Sequence, residues 1–336
     1  MQTIVVASFK IRQALIARIA RIIRIAPVGS VGSVGRFSMW TLLMLCLVPA
    51  LVGCAWLDSK QRELVLRPTP GRPADFKGLG ANDLSFSVNV TSSLDVPGGA
   101  AHPPERLQMW WLPHADPHAP TLLYLHGTFR NLYQNLPKID SLRAAGFSVL
   151  AVDYRGWGDS SPIIPSEATI LADAAVAWAQ VQQRQPDPRR RVIYGHSMGS
   201  GVAVDLASRL HGGVDYSGLI LESSFPRLPD VARAIGTLGN IAALFATQEF
   251  DSIDKIGKVD APVLMLHGSA DTTVPIALGR RLFEAAPADT QWVTFEGGSH
   301  SGIDRDQPAS YREVMTSFID RLASSPGPVG SAPSAH

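Results

Sequence analysis

The feature that most restricts the fold is a series of eight short apolar segments, rich in β-branched and aromatic residues, distributed along the chain. The predicted strands are 84–90, 107–112, 121–125, 147–152, 191–194, 218–221, 262–266 and 291–295. Helical stretches separate most of the later strands, notably 168–183, 199–210, 277–286 and 308–322. Alternating helices and almost wholly apolar strands predict an α/β fold: a mostly parallel sheet of about eight strands with helices on both faces. The first two strands would form a hairpin at an antiparallel edge.

The first 53 residues differ in composition from the rest. Residues 1–38 have six basic side chains and no acidic one, and residues 39–53 are uncharged and apolar. An apolar run of this length is typical of a secretory signal and is shorter than the roughly 20 residues that span a membrane. It ends in Leu51-Val52-Gly53-Cys54, which resembles the lipobox of bacterial lipoproteins. We therefore expect a basic leader and signal peptide over 1–53, lipidation at Cys54, and a membrane-anchored lipoprotein facing outside the cytoplasm.

Two alternatives remain open for this region. The apolar run could be a plain membrane anchor with an incidental cysteine. The basic residues before it could form an amphipathic helix, or the chain could have an over-long start.

The remaining chain is predicted to be one domain with short flanking segments. From residue 54 onward it has 24 basic and 29 acidic side chains, a net charge of −5 that disfavours nucleic acid as a partner. We expect a tether over 54–80, a folded domain over 81–323 and a disordered tail over 324–336. The apolar segment 226–259 lies between two strands and is expected to form a small lid, ordinary crossover packing being the alternative. The body has no cysteine beyond Cys54, so it has neither a disulfide framework nor a catalytic cysteine.

A candidate nucleophile lies in Gly195-His196-Ser197-Met198-Gly199, between a predicted strand and a helix of small residues. In such a G-x-S-x-G elbow the serine occupies a sharp turn, and the N-terminus of the following helix stabilises developing negative charge. Asp271 and His300 each follow a later strand, and parallel strands collect such residues at their carboxyl ends. The order Ser, Asp, His is that of α/β-hydrolases. We expect Ser197 as nucleophile, His300 as general base and Asp271 as the acid, with Glu222 as the alternative acid.

The segment Leu125-His126-Gly127-Thr128 follows another strand. Because glycine allows a close approach of the backbone, we expect the N–H groups of Thr128 and Met198 to bind an oxyanion. Several other polar residues are interpreted as structural: the histidines His126, His196 and His267, and the carboxylate Asp153. A metal site is not expected, because His114, Asp116 and His118 lie in a Pro-rich loop with no fourth ligand in view.

These segments resemble the α/β-hydrolase superfamily, in particular monoacylglycerol lipases, acyl-protein thioesterases and serine-aminopeptidase-like enzymes. The resemblance covers about residues 107–322 and rests on His126-Gly127, Asp153–Ser160, Gly195–Gly199, His267–Pro275 and Gly297–His300. Members often have Asn after His-Gly, where this chain has Thr128. The resemblance implies hydrolysis through an acyl-enzyme without a cofactor. We expect a small-molecule or lipid acyl substrate with a carboxylic ester or thioester bond. The alternatives are a serine peptidase and, from a different class, a catalytically silent binding lipoprotein.

Overall fold

The structure is a computed structural model that describes residues 53, 56–95, 101–234, 236–244 and 246–324. The chain divides into two compact units, residues 1–57 and 58–336, and the elements below all belong to the second. The expected signal peptide, apart from residue 53, lies outside the described residues. The same is true of the lipidation site Cys54 and of the expected tail beyond Ser324.

The second unit is organised around one eight-stranded sheet. Its strands are β1 (Leu84–Val90), β2 (Glu105–Leu112), β3 (Thr121–Leu125), β4 (Ser148–Asp153), β5 (Arg191–His196), β6 (Gly218–Glu222), β7 (Val263–Gly268) and β8 (Gln291–Phe295). They follow the order β1-β2-β4-β3-β5-β6-β7-β8. The β1–β2 and β2–β4 pairs are antiparallel and all other pairs are parallel. The predicted fold class, strand number and antiparallel edge are therefore confirmed.

Helices cover both faces of the sheet. They are α1 (Leu132–Ala144), α2 (Glu167–Arg184), α3 (Met198–Ala207), α4 (Leu228–Ala234), α5 (Thr237–Leu244), α6 (Ile253–Ile256), α7 (Ile276–Glu284), α8 (Ile303–Asp306) and α9 (Pro308–Ser324). Helices α2 and α3 contribute to one core cluster, and α1 and α9 to the other. Every residue of the central strands β3 to β7 is buried, because both faces of each strand are covered. None of the described helices is long and apolar enough to span a membrane.

The part of the expected tether that the structure describes from residue 58 onward lies against the domain. Residues 58–66 are helical, and Leu66 is fully buried in the core. Farther along, the Arg72 guanidinium lies 2.8 Å from the Asp159 carboxylate, and Phe76 packs against the second core cluster. The segment differs from a free tether because its few apolar residues are spaced to contact the core between the polar ones.

The expected lid segment 226–259 forms the three short helices α4, α5 and α6. Asp230 at its start pairs with Arg281 of α7 across 3.5 Å. Near its other end, the Gln248 side chain accepts a hydrogen bond from the N–H of Glu167, the first residue of α2. The segment is thus attached on two sides, to the helix that follows β7 and to the helix that follows β4.

Candidate active site

Ser197 occupies a strained turn between β5 and α3. Its φ of 55° and ψ of −123° are rare for a residue with a side chain. Two glycines make the turn possible by allowing backbones to meet. A Cβ atom on Gly195 would lie 2.2 Å from the carbonyl oxygen of Gly199, and one on Gly199 would lie 2.0 Å from that of Leu125. The elbow therefore requires glycine at both positions, and it places Ser197 at the carboxyl end of β5.

The structure brings the three residues of the expected triad together. His300 Nε2 lies 2.9 Å from Ser197 Oγ, and His300 Nδ1 lies 2.7 Å from Asp271 Oδ2. Asp271 follows β7 and His300 follows β8, so neighbouring parallel strands supply both partners of the serine. The Asp271 side chain is fully buried, whereas the His300 side chain is 17% exposed. This gradient leaves the imidazole partly open to solvent and keeps the carboxylate away from water, and Ser197 itself is 9% exposed.

Asp271 is held as a carboxylate by several donors. Its Oδ1 accepts hydrogen bonds from the N–H groups of Thr273 at 2.9 Å and Val274 at 2.8 Å. Burial alone would raise the pKa of Asp271, but hydrogen bonds with His267 and His300, the charge of His300 and the Val274 N–H hold it well below its usual range. A carboxylate here accepts the Nδ1–H of His300 and leaves Nε2 free to receive the serine proton.

Glu222, the alternative acid, is occupied elsewhere. Its Oε1 lies 2.6 Å from Lys138 Nζ, and its Oε2 accepts the hydroxyl of Tyr194. Lys138 also pairs with Asp304 across 2.7 Å, and both carboxylates are fully buried. Glu222 therefore belongs to a buried ionic cluster, and the carboxylate bonded to His300 is that of Asp271.

Two backbone N–H groups next to Ser197 are available for an oxyanion. Within the described part of the chain, neither the Met198 N–H at the start of α3 nor the Thr128 N–H has a hydrogen-bond acceptor. The loop after β3 lies against the nucleophile, since a Cβ atom on Gly127 would be 3.0 Å from that of Ser197. His126 Nδ1 donates to the Gly127 carbonyl oxygen at 2.6 Å. Because N–H and C=O point in opposite directions across a trans peptide, this bond turns the Thr128 N–H away from His126.

His126 and His267 are buried, as expected, although His267 lies within β7 and not in a loop, and each bonds through one nitrogen only. His267 Nε2 donates to the Val274 carbonyl oxygen at 2.9 Å, whereas its Nδ1 and the Nε2 of His126 have no hydrogen-bond partner. Burial lowers the pKa of His126 to about 4, so its ring is neutral at physiological pH. Asp153 acts between loops as expected, since it accepts the Leu132 N–H at 2.9 Å.

Sequence reasoning missed two residues that contact the His300 loop. His196 Nε2 and Ser223 Oγ both donate to the main-chain carbonyl oxygen of His300, at 2.9 and 3.0 Å. Burial, followed by the charges of His300 and Lys138, lowers the pKa of His196 well below its usual value, which keeps the ring neutral. The elbow pattern indicates where His196 lies but not which way its ring points, and a serine at a strand end gives no signal in sequence.

The Pro-rich loop with His114, Asp116 and His118 forms a local turn. His114 Nδ1 accepts the N–H of Asp116 at 3.0 Å, and Asp116 Oδ1 accepts the N–H of His118 at 2.8 Å. Over the ranges that the structure describes, no three His, Cys, Asp or Glu side chains form a group that could hold a metal ion. The polar groups of this loop therefore support its turn, and they also bind Ser148 and Arg190 at 3.0 and 3.1 Å.

Comparison with known proteins gives the family. A family model described as serine aminopeptidase, S33, matches residues 116–250. An uncharacterised protein of Mycobacterium tuberculosis is 33% identical over 245 residues, which are 72% of this chain and 81% of that protein. A Pyrococcus furiosus esterase has the same fold, with a TM-score of 0.56 at 17% identity over 71% of this chain and 91% of its own.

A relative with a stated activity is the lysophosphatidylserine lipase ABHD12 of Danio rerio. It is 33% identical over 192 residues, which are 53% of this chain. The chain spans 50% of the length of that lipase. The fold and the site define an α/β protein with the organisation of a hydrolase. The chain belongs to the α/β-hydrolase superfamily.

Proposed function

We propose that this protein is a serine hydrolase that cleaves carboxylic esters or thioesters through an acyl-enzyme. The observation that supports this most strongly is the position of His300, whose two ring nitrogens lie within hydrogen-bond distance of Ser197 and Asp271. A hydroxyl next to an imidazole that is itself oriented by a carboxylate is an activated nucleophile.

The reaction follows from these positions. Ser197 Oγ attacks the substrate carbonyl carbon while His300 Nε2 takes the hydroxyl proton. The resulting oxyanion accepts hydrogen bonds from the N–H groups of Thr128 and Met198. When the tetrahedral intermediate collapses, His300 returns the proton to the leaving alcohol or thiol. Water then attacks the acyl-serine with His300 again as base, which releases the acid and restores Ser197.

The charges around the site favour an acyl ester over a peptide with a free amine. The nearby buried carboxylates Glu222 and Asp304 are paired with Lys138. The loop after β3 carries Thr128 and is called the oxyanion loop. Arg67 and Arg130 are exposed charges next to it. An aminopeptidase needs an anionic group for the substrate amine, and the carboxylates of Glu222 and Asp304 are already neutralised by Lys138. The printed activity of the Danio rerio relative, hydrolysis of lysophosphatidylserine, also favours a lipid acyl substrate.

The test is a substrate series. The purified chain is assayed with nitrophenyl esters of increasing acyl length, with the matching thioesters, and with aminoacyl nitroanilides as the peptidase control. We expect turnover of esters or thioesters and little turnover of nitroanilides. Faster hydrolysis of the nitroanilides would favour the peptidase. Failure of every substrate, together with failure to react with a fluorophosphonate, would favour a silent binding protein.

We also propose that the mature protein begins at a lipidated Cys54 and faces outside the cytoplasm. The support is the order of basic leader, apolar run and Leu51-Val52-Gly53-Cys54. Each buried CH₂ of a lipid chain contributes about 0.8 kcal/mol to membrane binding, so several chains give stable attachment. The test is the mass of the N-terminal peptide isolated from membranes. A diacylated or triacylated Cys54 supports the proposal, and an unmodified peptide extending upstream of Cys54 contradicts it.

A further inference from the structure

Four large apolar side chains are exposed on segments that meet beside the oxyanion loop. Leu64 is 69% exposed, Val65 37%, Phe129 48% and Ile164 43%. Single exposed apolar residues are normal on soluble proteins, whereas a contiguous group marks an interaction site. We call these four residues the apolar rim.

Contacts of Arg62 and Arg67 connect the segments that carry the rim residues. The Arg67 guanidinium donates to the Leu64 carbonyl oxygen at 3.1 Å and lies 4.4 Å from the centre of the Phe129 ring. Arg62 donates to the Ile164 carbonyl oxygen at 3.5 Å. The helical segment 58–66 thus connects the loop after β3 with the loop after β4.

One rim residue follows the loop residue that contacts Ser197. Phe129 is two residues beyond Gly127, the residue that lies against Ser197. On another side of the same helical segment, the Thr247 hydroxyl donates to Gln61 at 3.1 Å, which connects the segment to the end of the lid segment. The segments that carry the rim are therefore linked both to the loop beside Ser197 and to the end of the lid segment.

Basic side chains accompany the apolar ones. Arg67 and Arg130 are exposed, and neither forms an ion pair within the part of the chain that the structure describes. The nearest acidic side chain on the segment, Glu63, is paired with Lys60 across 2.7 Å. Exposed apolar residues flanked by unpaired arginines are typical of surfaces that lie in the interface of an anionic bilayer.

We propose that the apolar rim docks on an anionic lipid bilayer, so that an acyl substrate passes from the membrane to Ser197. The nature of that substrate rests on the proposed function. Leu64 lies ten residues after Cys54 in the chain, and because residues 58–64 are helical this stretch spans at most about 25 Å. A lipid on Cys54 and the rim can therefore reach the same membrane. No comparable observation favours a soluble partner or a second copy of the chain as the occupant of the rim.

The first test measures contact with lipid and does not need turnover. Full-length protein with Leu64→Trp is incorporated into phosphatidylglycerol vesicles with brominated acyl chains, which quench nearby tryptophan. The matched control is Val214→Trp, because Val214 is 59% exposed and precedes β6, at the end of the sheet opposite Ser197. After subtraction of the wild-type emission, we expect about twofold or stronger quenching of the Trp at 64 and none at 214. An unquenched Trp at 64, or equal quenching at both positions, would overturn the proposal.

The second test separates docking from catalysis. The variant with Leu64→Glu and Ile164→Glu is assayed with a long-chain monoacyl ester in vesicles and with nitrophenyl acetate in water, and Val214→Glu is the control. We expect at least about a tenfold loss on the vesicle substrate only, since burying these carboxylates in the interface is costly. Equal losses on both substrates, no loss, or the same loss in the control would contradict docking. If the wild-type protein hydrolyses neither ester, the proposed function fails, and the quenching result still decides the docking proposal.

Discussion

His196 Nε2 donates a hydrogen bond to the main-chain carbonyl oxygen of His300 across 2.9 Å. The residue before Ser197 thus holds the backbone of His300, the residue that we propose activates the serine. The Ser223 hydroxyl donates to the same oxygen at 3.0 Å. A carbonyl bound by two buried donors from two different strand ends is fixed in position, and with it the loop that carries the imidazole.

Removing one of these donors should lower turnover. We expect Ser223→Ala to reduce kcat by about tenfold with little change in KM, because small displacements of a catalytic group are costly. Ser224→Ala is a matched control, since Ser224 is equally buried but its hydroxyl has no hydrogen-bond partner. Its kcat should stay within about twofold of wild type. Equal effects of the two substitutions on kcat would show that the bond to His300 has no part in turnover.

Substitution at His196 gives an independent check on the same carbonyl. His196→Gln retains an N–H donor, whereas His196→Leu does not. The Gln variant should recover most of the kcat that the Leu variant loses. Similar kcat values for both variants, with matched melting temperatures, would contradict a positioning role for the hydrogen bond.

Substitutions at Asp271 and Glu222 should have different effects, the first on turnover and the second on the stability of the fold. Asp271→Asn should lower kcat by roughly 10⁴, because His300 would then be held in the wrong tautomer. Glu222→Gln should leave kcat nearly unchanged but should destabilise the fold by about 3–5 kcal/mol, since it leaves the buried Lys138 with less compensation. Kinetics and denaturant unfolding of both variants test this. A crippling Glu222→Gln with a mild Asp271→Asn would transfer the acid role to Glu222.

The low pKa of Asp271 predicts a pH-dependent contribution to stability. Its pKa in the folded protein lies below the value of about 3.9 for an unfolded aspartate. Ionised Asp271 therefore contributes stability that is present above about pH 4 and is lost as the pH falls towards the folded-state pKa. Wild-type protein should melt above Asp271→Asn at pH 7, and the difference should shrink below pH 4. A difference that grows on acidification would contradict the assignment.

The strands were predictable from sequence because the central ones are buried on both faces and are therefore apolar throughout. The ends of the strands were less predictable. Strand β5 continues through Gly195 to His196, and β7 continues to Gly268, into residues whose composition indicates a turn. Helix α1 was missed because Pro137 lies inside it. At the start of that helix the Gln134 side chain accepts the Asn131 N–H at 3.3 Å, and a proline is a poor guide when the rest of the helix packs well.

The proximity of Ser197, Asp271 and His300 was predictable because these residues follow strand ends in a fixed order. The direction of a side chain was not predictable. His196 was therefore interpreted only as a structural residue, whereas its ring holds the His300 loop. The same limit applies to the choice between Asp271 and Glu222. Both follow strands, and only the three-dimensional structure shows that Lys138 and Tyr194 already occupy Glu222.

The central claim is that Ser197 becomes acylated, and intact-mass spectrometry after reaction with a fluorophosphonate measures it most directly. Wild-type protein should gain the mass of one phosphonyl group, which peptide mapping should place on Ser197. Ser197→Ala should gain none, and its kcat should fall by on the order of 10⁶. Labelling that persists in Ser197→Ala, or a label located on another residue of the wild-type protein, would contradict the account.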